Sequence, residues 1–233
     1  MGFNVPQWKF VNKCFVSTGL LSQNKKLPKF GTILENENYY GKKMLELGCQ
    51  EIRRLVKERL LSKGTSRSYF KSIGIKHTSI DKKGCHRSHK KDLTIPLGED
   101  YYNRFDIVTN SGTTEHIVPL KGQYPAFKNI HLCTKVEGIM LHILPGIGKY
   151  YGHCQTYYDK RFFKMLAKLN NYDIVLMENV KKRKNFIWTG VCFRKKEDNK
   201  FTTNENDLLK YLQWINKKVM KNHRKNRNKY LER

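Results

Sequence analysis

The sequence predicts a three-layer α/β fold, with helices on both faces of a mostly parallel seven-stranded sheet that has an antiparallel edge strand. Short apolar runs of strand length alternate with stretches of helical periodicity, the pattern that builds parallel sheets. The first run, Met44 to Leu47, is followed by Gly48, and the second, Lys76 to Asp81, ends in an acid. Their separation of about 30 residues is that of a strand–helix–strand crossover. At 233 residues, the chain suits one such domain with additions.

The end of the first strand predicts a ligand-binding turn. Gly48 has no Cβ, so the backbone there can approach a ligand closely. We expect a helix to begin at Gln50-Glu51 and to run to Leu61, which would turn its free N–H groups toward the same place. At the end of the second strand, Asp81 can accept both ribose hydroxyls of a nucleoside. The alternative is a solvated turn aspartate before Lys82-Lys83.

The later part of the chain continues the alternation of helices and strands. The predicted elements are a short helix at 66–72, a strand at 105–112, a helix at 123–135, a strand at 139–144, a helix at 159–170 and two strands at 172–180 and 186–194. The last two strands are joined by a short basic connection, so they must pair antiparallel.

An ordered set of short segments resembles a known family. Met44–Gln50, Ile80-Asp81, Asp92-Leu93 and Phe105–His116 look like the successive motifs of the class I S-adenosylmethionine (SAM) dependent methyltransferases, a Rossmann-like family. The resemblance covers residues 41 to 195 and implies SAM as cofactor, with methyl transfer to an oxygen or nitrogen of an acceptor, foremost a small molecule. The chain departs from the family at Cys49-Gln50, where further glycines are usual.

The resemblance also implies which residues bind the cofactor. Asp81 would bind the ribose and Asp92 the exocyclic amine of adenine, while Leu93 would pack on the ring. A turn or N-cap role for Asp92 stays open. The full set of expected cofactor-binding residues is Glu46, Gly48, Gln50, Asp81, Asp92, Leu93, Asn110 and Ser111.

Two histidines are the candidate catalytic residues. Glu115-His116 resembles the Glu-His step that follows this strand in many small-molecule methyltransferases, and a pKa near neutrality would let His116 take a proton from the acceptor. His153 lies in a loop rich in glycine and tyrosine between residues 146 and 158. Structural roles remain open for Glu115, for His116 and for this loop.

No metal is expected. RNA 2′-O-methyltransferases that use a divalent ion share the Glu-His pair, but Gly112 stands where their first glutamate would be. In the basic loop 84–91, Cys85, His86 and His89 lie close together in sequence, yet no further ligand follows at a fitting spacing.

The charge of the chain is extreme, with 46 basic and 20 acidic residues and a formal net charge of +26. Such a field attracts RNA and other polyanions, although an abundance of lysine throughout the chain also accounts for it. An RNA methyltransferase and a non-catalytic SAM-fold binding subunit are therefore the alternatives to a small-molecule enzyme. The basic segment Lys217 to Arg233 has the same two interpretations.

Three segments are expected: an N-terminal arm or lid at 1–40, a SAM-binding domain at 41–196 and a C-terminal basic helix or tail at 197–233. The six cysteines form no C-x-x-C pair, which suggests free thiols in a reducing compartment. With no apolar stretch that resembles a signal peptide or a membrane span, the sequence predicts a cytoplasmic protein.

Overall fold

The structure is a computed structural model that describes residues 3–52, 55–56, 64–147, 154–183 and 186–231. Its strands are β1 Lys43–Leu47, β2 Lys76–Asp81, β3 His89–Lys90, β4 Phe105–Ser111, β5 Thr134–Pro145, β6 Tyr172–Arg183 and β7 Phe186–Lys195. Its described helices are α1 Val5–Ser17, α2 Ser66–Ser72, α3 Gln123–Cys133, α4 Lys160–Leu169 and α5 Glu205–Leu231. Single 3₁₀ turns lie at Cys85–Arg87, Thr114–His116 and Leu120–Gly122.

The seven strands form one sheet in the order β3-β2-β1-β4-β5-β7-β6. The pairs from β3 to β5 are parallel, whereas β7 is antiparallel to both β5 and β6. The predicted fold class is therefore confirmed, with the antiparallel strand one place in from the edge. Because β1, β2 and β4 are parallel neighbours, their carboxyl ends meet at one rim of the sheet, where ligands bind in open α/β sheets.

The sheet is covered on both faces, since successive strand residues point to opposite sides. Met44 packs in a core with Phe10 of α1 and Phe70 of α2. Its neighbour Leu45 packs in the other core, with side chains of α3, α4 and α5 that include Phe127, Phe162 and Leu212. The helices at both ends of the described chain thus pack on the sheet.

The N-terminal segment contains a helix that the sequence analysis did not assign. Asn4 caps α1 by accepting a hydrogen bond from the Gln7 backbone, and the Gln7 side chain accepts one from the Asn4 backbone. Pro6 lies in the first turn, where its missing N–H costs nothing. Phe10 is fully buried against β6 and β7, so this part of the predicted arm belongs to the core.

The expected helix begins later than Gln50-Glu51: residues 55 and 56 are helical, and the Val56 N–H donates to the Ile52 carbonyl at 3.0 Å. Glu51 forms an antiparallel bridge with Thr65, and the Gln50 carbonyl accepts hydrogen bonds from the backbone and hydroxyl of Ser66. These bonds hold the chain in an extended conformation past the predicted start. Most of the predicted helix, residues 53–54 and 57–61, lies outside the described residues.

Other elements match the sequence analysis, with shifts of their ends. The helix at 66–72 is as predicted, and the helix expected at 159–170 begins at an Asp159 cap, whose Oδ1 accepts the Phe162 N–H at 2.8 Å. The basic loop 84–91 contains the short edge strand β3, which was not predicted. Among the described residues, no helix combines the length and the apolarity that a membrane span requires.

Candidate cofactor site

A cavity of about 410 Å³ opens at the carboxyl ends of β1, β2 and β4, a volume in the usual range for small-molecule sites. Four segments contribute to it: the turn after β1, the end of β2 with the loop after it, the start of the segment before β4, and the loop after β4. Its lining residues are Gly48, Cys49, Gln50, Ile80, Asp81, Lys82, Lys83, Lys91, Asp92, Leu93, Thr94, Gly112, Thr113, His116, Ile117 and Val118.

Gly48 is the point of closest approach between two of these loops. Its φ of +76° lies in the left-handed region, which glycine adopts without strain. A Cβ at this position would lie 2.6 Å from the Thr113 hydroxyl oxygen. Thr113 donates that hydroxyl to the Leu47 carbonyl at 2.6 Å, so the loop after β4 is tied to the end of β1.

Gln50 fixes the path of the turn after β1 through two hydrogen bonds. Its side chain is buried, and Nε2 donates to the Ser111 carbonyl at 2.6 Å. Its backbone N–H donates to Glu46 Oε1 at 3.2 Å. The second carboxylate oxygen of Glu46 lies 3.6 Å from His77 Nε2, in the buried interior of the sheet. Glu46 therefore supports the loop from behind and does not line the cavity.

Asp81 stands at the cavity wall as the last residue of β2. Its carboxylate is half-buried, and Oδ1 accepts the Lys83 backbone N–H at 2.7 Å. The Gly48 backbone N–H donates to the carbonyl of the preceding residue, Ile80, at 2.7 Å. The acid and the glycine turn are thus fixed next to each other at the ends of neighbouring strands.

Asp92 serves as a turn residue and also lines the cavity. Oδ1 accepts the Thr94 N–H at 2.9 Å and the Thr94 hydroxyl at 2.8 Å, while Oδ2 lies 2.8 Å from Lys82 Nζ. These hydrogen bonds, the one from Lys82 foremost, lower the pKa of Asp92 to about 2. The side chain is therefore a carboxylate at neutral pH.

Apolar side chains also line the cavity. Leu93 is nearly buried, and Ile80, Ile117 and Val118 lie beside it along the lining. Such a surface suits an aromatic ring, because apolar side chains and π faces both exclude water.

Asn110 and Ser111 do not reach the cavity. Asn110 is completely buried and holds the loop after β4: Nδ2 donates to the Thr114 hydroxyl at 3.0 Å, and Oδ1 accepts the Thr114 N–H at 3.3 Å. Asn110 Nδ2 also lies 3.2 Å from His142 Nδ1. Ser111 is buried and contributes its carbonyl to Gln50. Polar residues at the end of β4 thus satisfy backbone groups of the loop instead of facing the ligand.

His116 lines the cavity with about a third of its side chain exposed. Its Nε2 lies 3.9 Å from Oε1 of Glu115, which is buried. Desolvation raises the pKa of Glu115 to about 8, so this carboxyl carries its proton at neutral pH. The second candidate base, His153, lies outside the described residues.

Several lining residues were not predicted from the sequence. Thr113, Ile117 and Val118 follow β4 directly, and their position after a strand with a polar end was the available signal. Lys82 and Lys83 follow Asp81, where the charge run suggested a solvated turn.

Comparisons with known proteins show the fold. No protein-family model matches the sequence, and no curated protein sequence matches it. Among solved structures, the N-methyltransferase NodS from Bradyrhizobium japonicum in complex with S-adenosylhomocysteine (SAH) is 13% identical, with 83% of this chain and 89% of that chain covered and a TM-score of 0.53.

Two further structures are similar over a smaller part of the chain. The 1,6-didemethyltoxoflavin-N1-methyltransferase of Burkholderia thailandensis is 15% identical, covering 68% of this chain and 72% of that one with a TM-score of 0.49. The geranyl diphosphate C-methyltransferase of Streptomyces coelicolor is 10% identical, covering 67% and 75% with a TM-score of 0.44. The strand order and the similarity to NodS show that the chain has the class I SAM-dependent methyltransferase fold.

Proposed function

We propose that the protein is a SAM-dependent methyltransferase that acts on an oxygen or nitrogen of a small molecule. One observation carries the proposal: the Asp81 carboxylate and the Gly48 turn line a single cavity at the carboxyl rim of the sheet. The fold is shared with NodS, whose structure contains SAH.

The residues present fit a nucleoside cofactor. Gly48 leaves open the space that a Cβ would fill, Asp81 offers a hydrogen-bond acceptor for ribose hydroxyls, and Leu93 with Ile117 offers an apolar surface for adenine. Asp92 accepts hydrogen bonds and stays ionised, as recognition of an exocyclic amine requires. When bound, SAM supplies a methyl group on a positively charged sulfur, which is a good leaving group.

In this proposal, the alignment of the acceptor with the methyl group supplies most of the rate acceleration, and His116 accepts the proton that the acceptor loses. An acceptor hydroxyl or ammonium group has to lose a proton before or during attack, and an imidazole ring nitrogen of His116 receives it. The neighbouring Glu115 carboxyl, whose pKa burial raises to about 8, lies 3.9 Å from His116 Nε2. A neutral imidazole is the form that can act as a base.

A labelled methyl-transfer screen tests the proposal. Purified protein is given methyl-labelled SAM together with metabolite, RNA or protein fractions, and wild type is compared with His116→Ala. We expect label in the metabolite fraction and a turnover about 10²- to 10⁴-fold lower in the variant, with unchanged affinity for SAH. Label in no fraction, despite tight SAH binding, would instead indicate a non-catalytic binding subunit.

RNA is the second candidate acceptor, and a specific surface favours it. A shallow groove beside the start of β2 is lined by five basic residues and one acidic residue, Asp100; the basic ones are Lys43, Lys71, Lys76, Lys91 and Arg104. Lys91 also lines the cofactor cavity, so the two depressions adjoin. Label in the RNA fraction, with binding that weakens steeply as salt is raised, would support this acceptor over a metabolite.

A further inference from the structure

Two cysteines from distant parts of the sequence meet at the edge of the cofactor cavity. Cys49 follows Gly48 in the turn after β1, and Cys85 opens the 3₁₀ turn after β2. Cys49 Sγ lies 2.7 Å from the Cys85 carbonyl oxygen, to which it donates, and 3.1 Å from Ser88 Oγ. The two sulfur atoms and a carboxylate oxygen of Asp81 all lie within 4.8 Å of one another.

This spacing is close to that of a first coordination sphere. In tetrahedral zinc sites the Zn–S distance is about 2.3 Å and the Zn–O distance about 2.0–2.2 Å, so two ligand atoms on one ion lie about 3.5–3.8 Å apart. The three atoms, which lie within 4.8 Å of one another, need side-chain rotations of about an ångström to reach that separation. All three residues are half-buried, so each is partly accessible to solvent.

We propose that Cys49, Asp81 and Cys85 form a binding site for a thiophilic divalent cation such as Zn²⁺. Thiolate sulfur selects soft ions, and a set of two sulfurs and one oxygen suits tetrahedral zinc with a fourth, exchangeable ligand. Ser88 Oγ lies 3.1 Å from Cys49 Sγ and donates its hydroxyl to the Cys85 carbonyl, and a rotation of that hydroxyl would turn the donor to a Cys49 thiolate.

The local charges are compatible with such an ion. Two thiolates and a carboxylate would carry three negative charges, which exceeds the charge of the cation. Lys82 lies nearby but is paired with Asp92 at 2.8 Å. Without metal, burial and the hydrogen bond with Cys85 raise the pKa of Cys49 to about 12, so the thiol is protonated and binding releases a proton.

The site has a consequence for the cofactor, which rests on the proposed function. Asp81 is the residue proposed to bind the ribose, and here it is also a metal ligand. Metal and SAM should therefore compete for one carboxylate, and a thiophilic ion would inhibit the enzyme by weakening cofactor binding.

A cobalt titration without cofactor tests the metal site apart from the proposed activity. Co²⁺ is added to the reduced, full-length protein, and the thiolate-to-cobalt absorbance in the near ultraviolet is recorded. We expect saturation at one equivalent and displacement of the band by Zn²⁺. Cys49→Ser and Cys85→Ser should each abolish the band, because serine keeps the hydroxyl donor but gives no thiolate. Cys154→Ser, on a different loop, should leave it unchanged.

Three further results test the proposed metal site: the effect of an Asp81 variant, the dependence of the cobalt band on the two cysteines, and the effect of Zn²⁺ on SAH binding. Asp81→Asn should weaken Co²⁺ binding at least as much as the loss of an outer-shell partner does, about 10- to 100-fold, while it preserves the sulfur bands. A titration with no charge-transfer band, or a band that survives both Cys49→Ser and Cys85→Ser, would overturn the proposal. The competition is tested by calorimetry: saturating Zn²⁺ should raise the Kd of SAH for wild type, and an unchanged Kd would contradict the shared use of Asp81.

Discussion

The side-chain amide of Gln50 donates a 2.6 Å hydrogen bond to the carbonyl of Ser111, and this bond joins the turn after β1 to the end of β4. The two strands are parallel neighbours, so the bond spans the carboxyl rim beside the cavity. This turn has a single glycine, Gly48, and a buried amide two residues later holds its path. The loop path thus depends on Gln50 and on its backbone bond to Glu46.

Gln50→Ala is expected to destabilise the protein by about 1–3 kcal/mol, because the buried Ser111 carbonyl loses its donor. Urea unfolding measures the loss. The matched control is Gln213→Ala on the exposed face of α5, which should change stability by less than about 0.5 kcal/mol. Equal effects of the two variants would show that the Gln50 bond contributes nothing.

Gly48→Ala is expected to weaken SAH binding strongly, since the new Cβ would lie 2.6 Å from the Thr113 hydroxyl. Gly41→Ala is the control: Gly41 has a φ of +72°, close to the +76° of Gly48, but nothing lies within 4 Å of its Cβ position. Both variants should lose about 1–2 kcal/mol from backbone strain. Calorimetry should show lost SAH affinity for Gly48→Ala alone, and comparable losses would contradict the close approach.

The sequence was informative about the site where geometry follows from topology. Asp81 and Gly48 end neighbouring parallel strands, so the strand–helix–strand spacing was enough to bring them together. It was uninformative where a polar side chain can face either way. The Asn110 side chain points inward and hydrogen-bonds to Thr114, because a buried loop N–H group needs a hydrogen-bond partner. The meeting of Cys49 with Cys85 depends on loop conformations that no local pattern encodes.

Glu115→Gln is expected to flatten the dependence of stability on pH. The folded protein holds the Glu115 proton up to about pH 8, whereas the unfolded chain releases it near 4.5. Between these values the folded state binds more protons, so wild-type stability falls as pH rises. The stability that the protonated Glu115 contributes is fully present below pH 4.5 and is lost as the pH rises through about 8.

Each unit of difference between the folded and unfolded pKa of Glu115 changes the free energy of unfolding by about 1.4 kcal/mol. Between pH 4.5 and about pH 8 the wild type should therefore lose a few kcal/mol of stability. Urea midpoints of wild type and Glu115→Gln are measured from about pH 5 to pH 9. The variant should become the more stable protein toward the alkaline end. Parallel curves for the two proteins would mean that Glu115 ionises normally.

Phe10→Ala is expected to cost about 3–5 kcal/mol, because it empties a fully buried position between α1 and the sheet. Phe30→Ala, at an exposed phenylalanine of the same N-terminal segment, should have little effect on stability. At a temperature where Phe10→Ala remains folded, its SAH affinity should equal that of wild type. Weaker SAH binding with intact folding would indicate that α1 acts as a lid.

The fold was predictable because its main elements have strong patterns, and α1 was missed for a physical reason. Its buried face mixes Trp8 and Phe10 with the polar Gln7, so the apolar stripe is not continuous. The sequence features that indicate the start of α1 are Asn4 as an N-cap residue and the proline in the first turn. The edge strand β3 is only two residues long, and its pairing with β2 depends on the sheet already being in place.

The central claim is that Asp81 binds the sugar of a nucleoside cofactor in the cavity at the sheet rim. Isothermal titration of SAH into metal-free wild type and Asp81→Asn tests it most directly, with Asp173→Asn on the exposed edge strand β6 as the control. We expect one site per chain in wild type and in the control, and an affinity loss of about 2–3 kcal/mol, or roughly 30- to 150-fold, for Asp81→Asn. Equal SAH affinity in all three proteins, or no binding to wild type, would contradict the account.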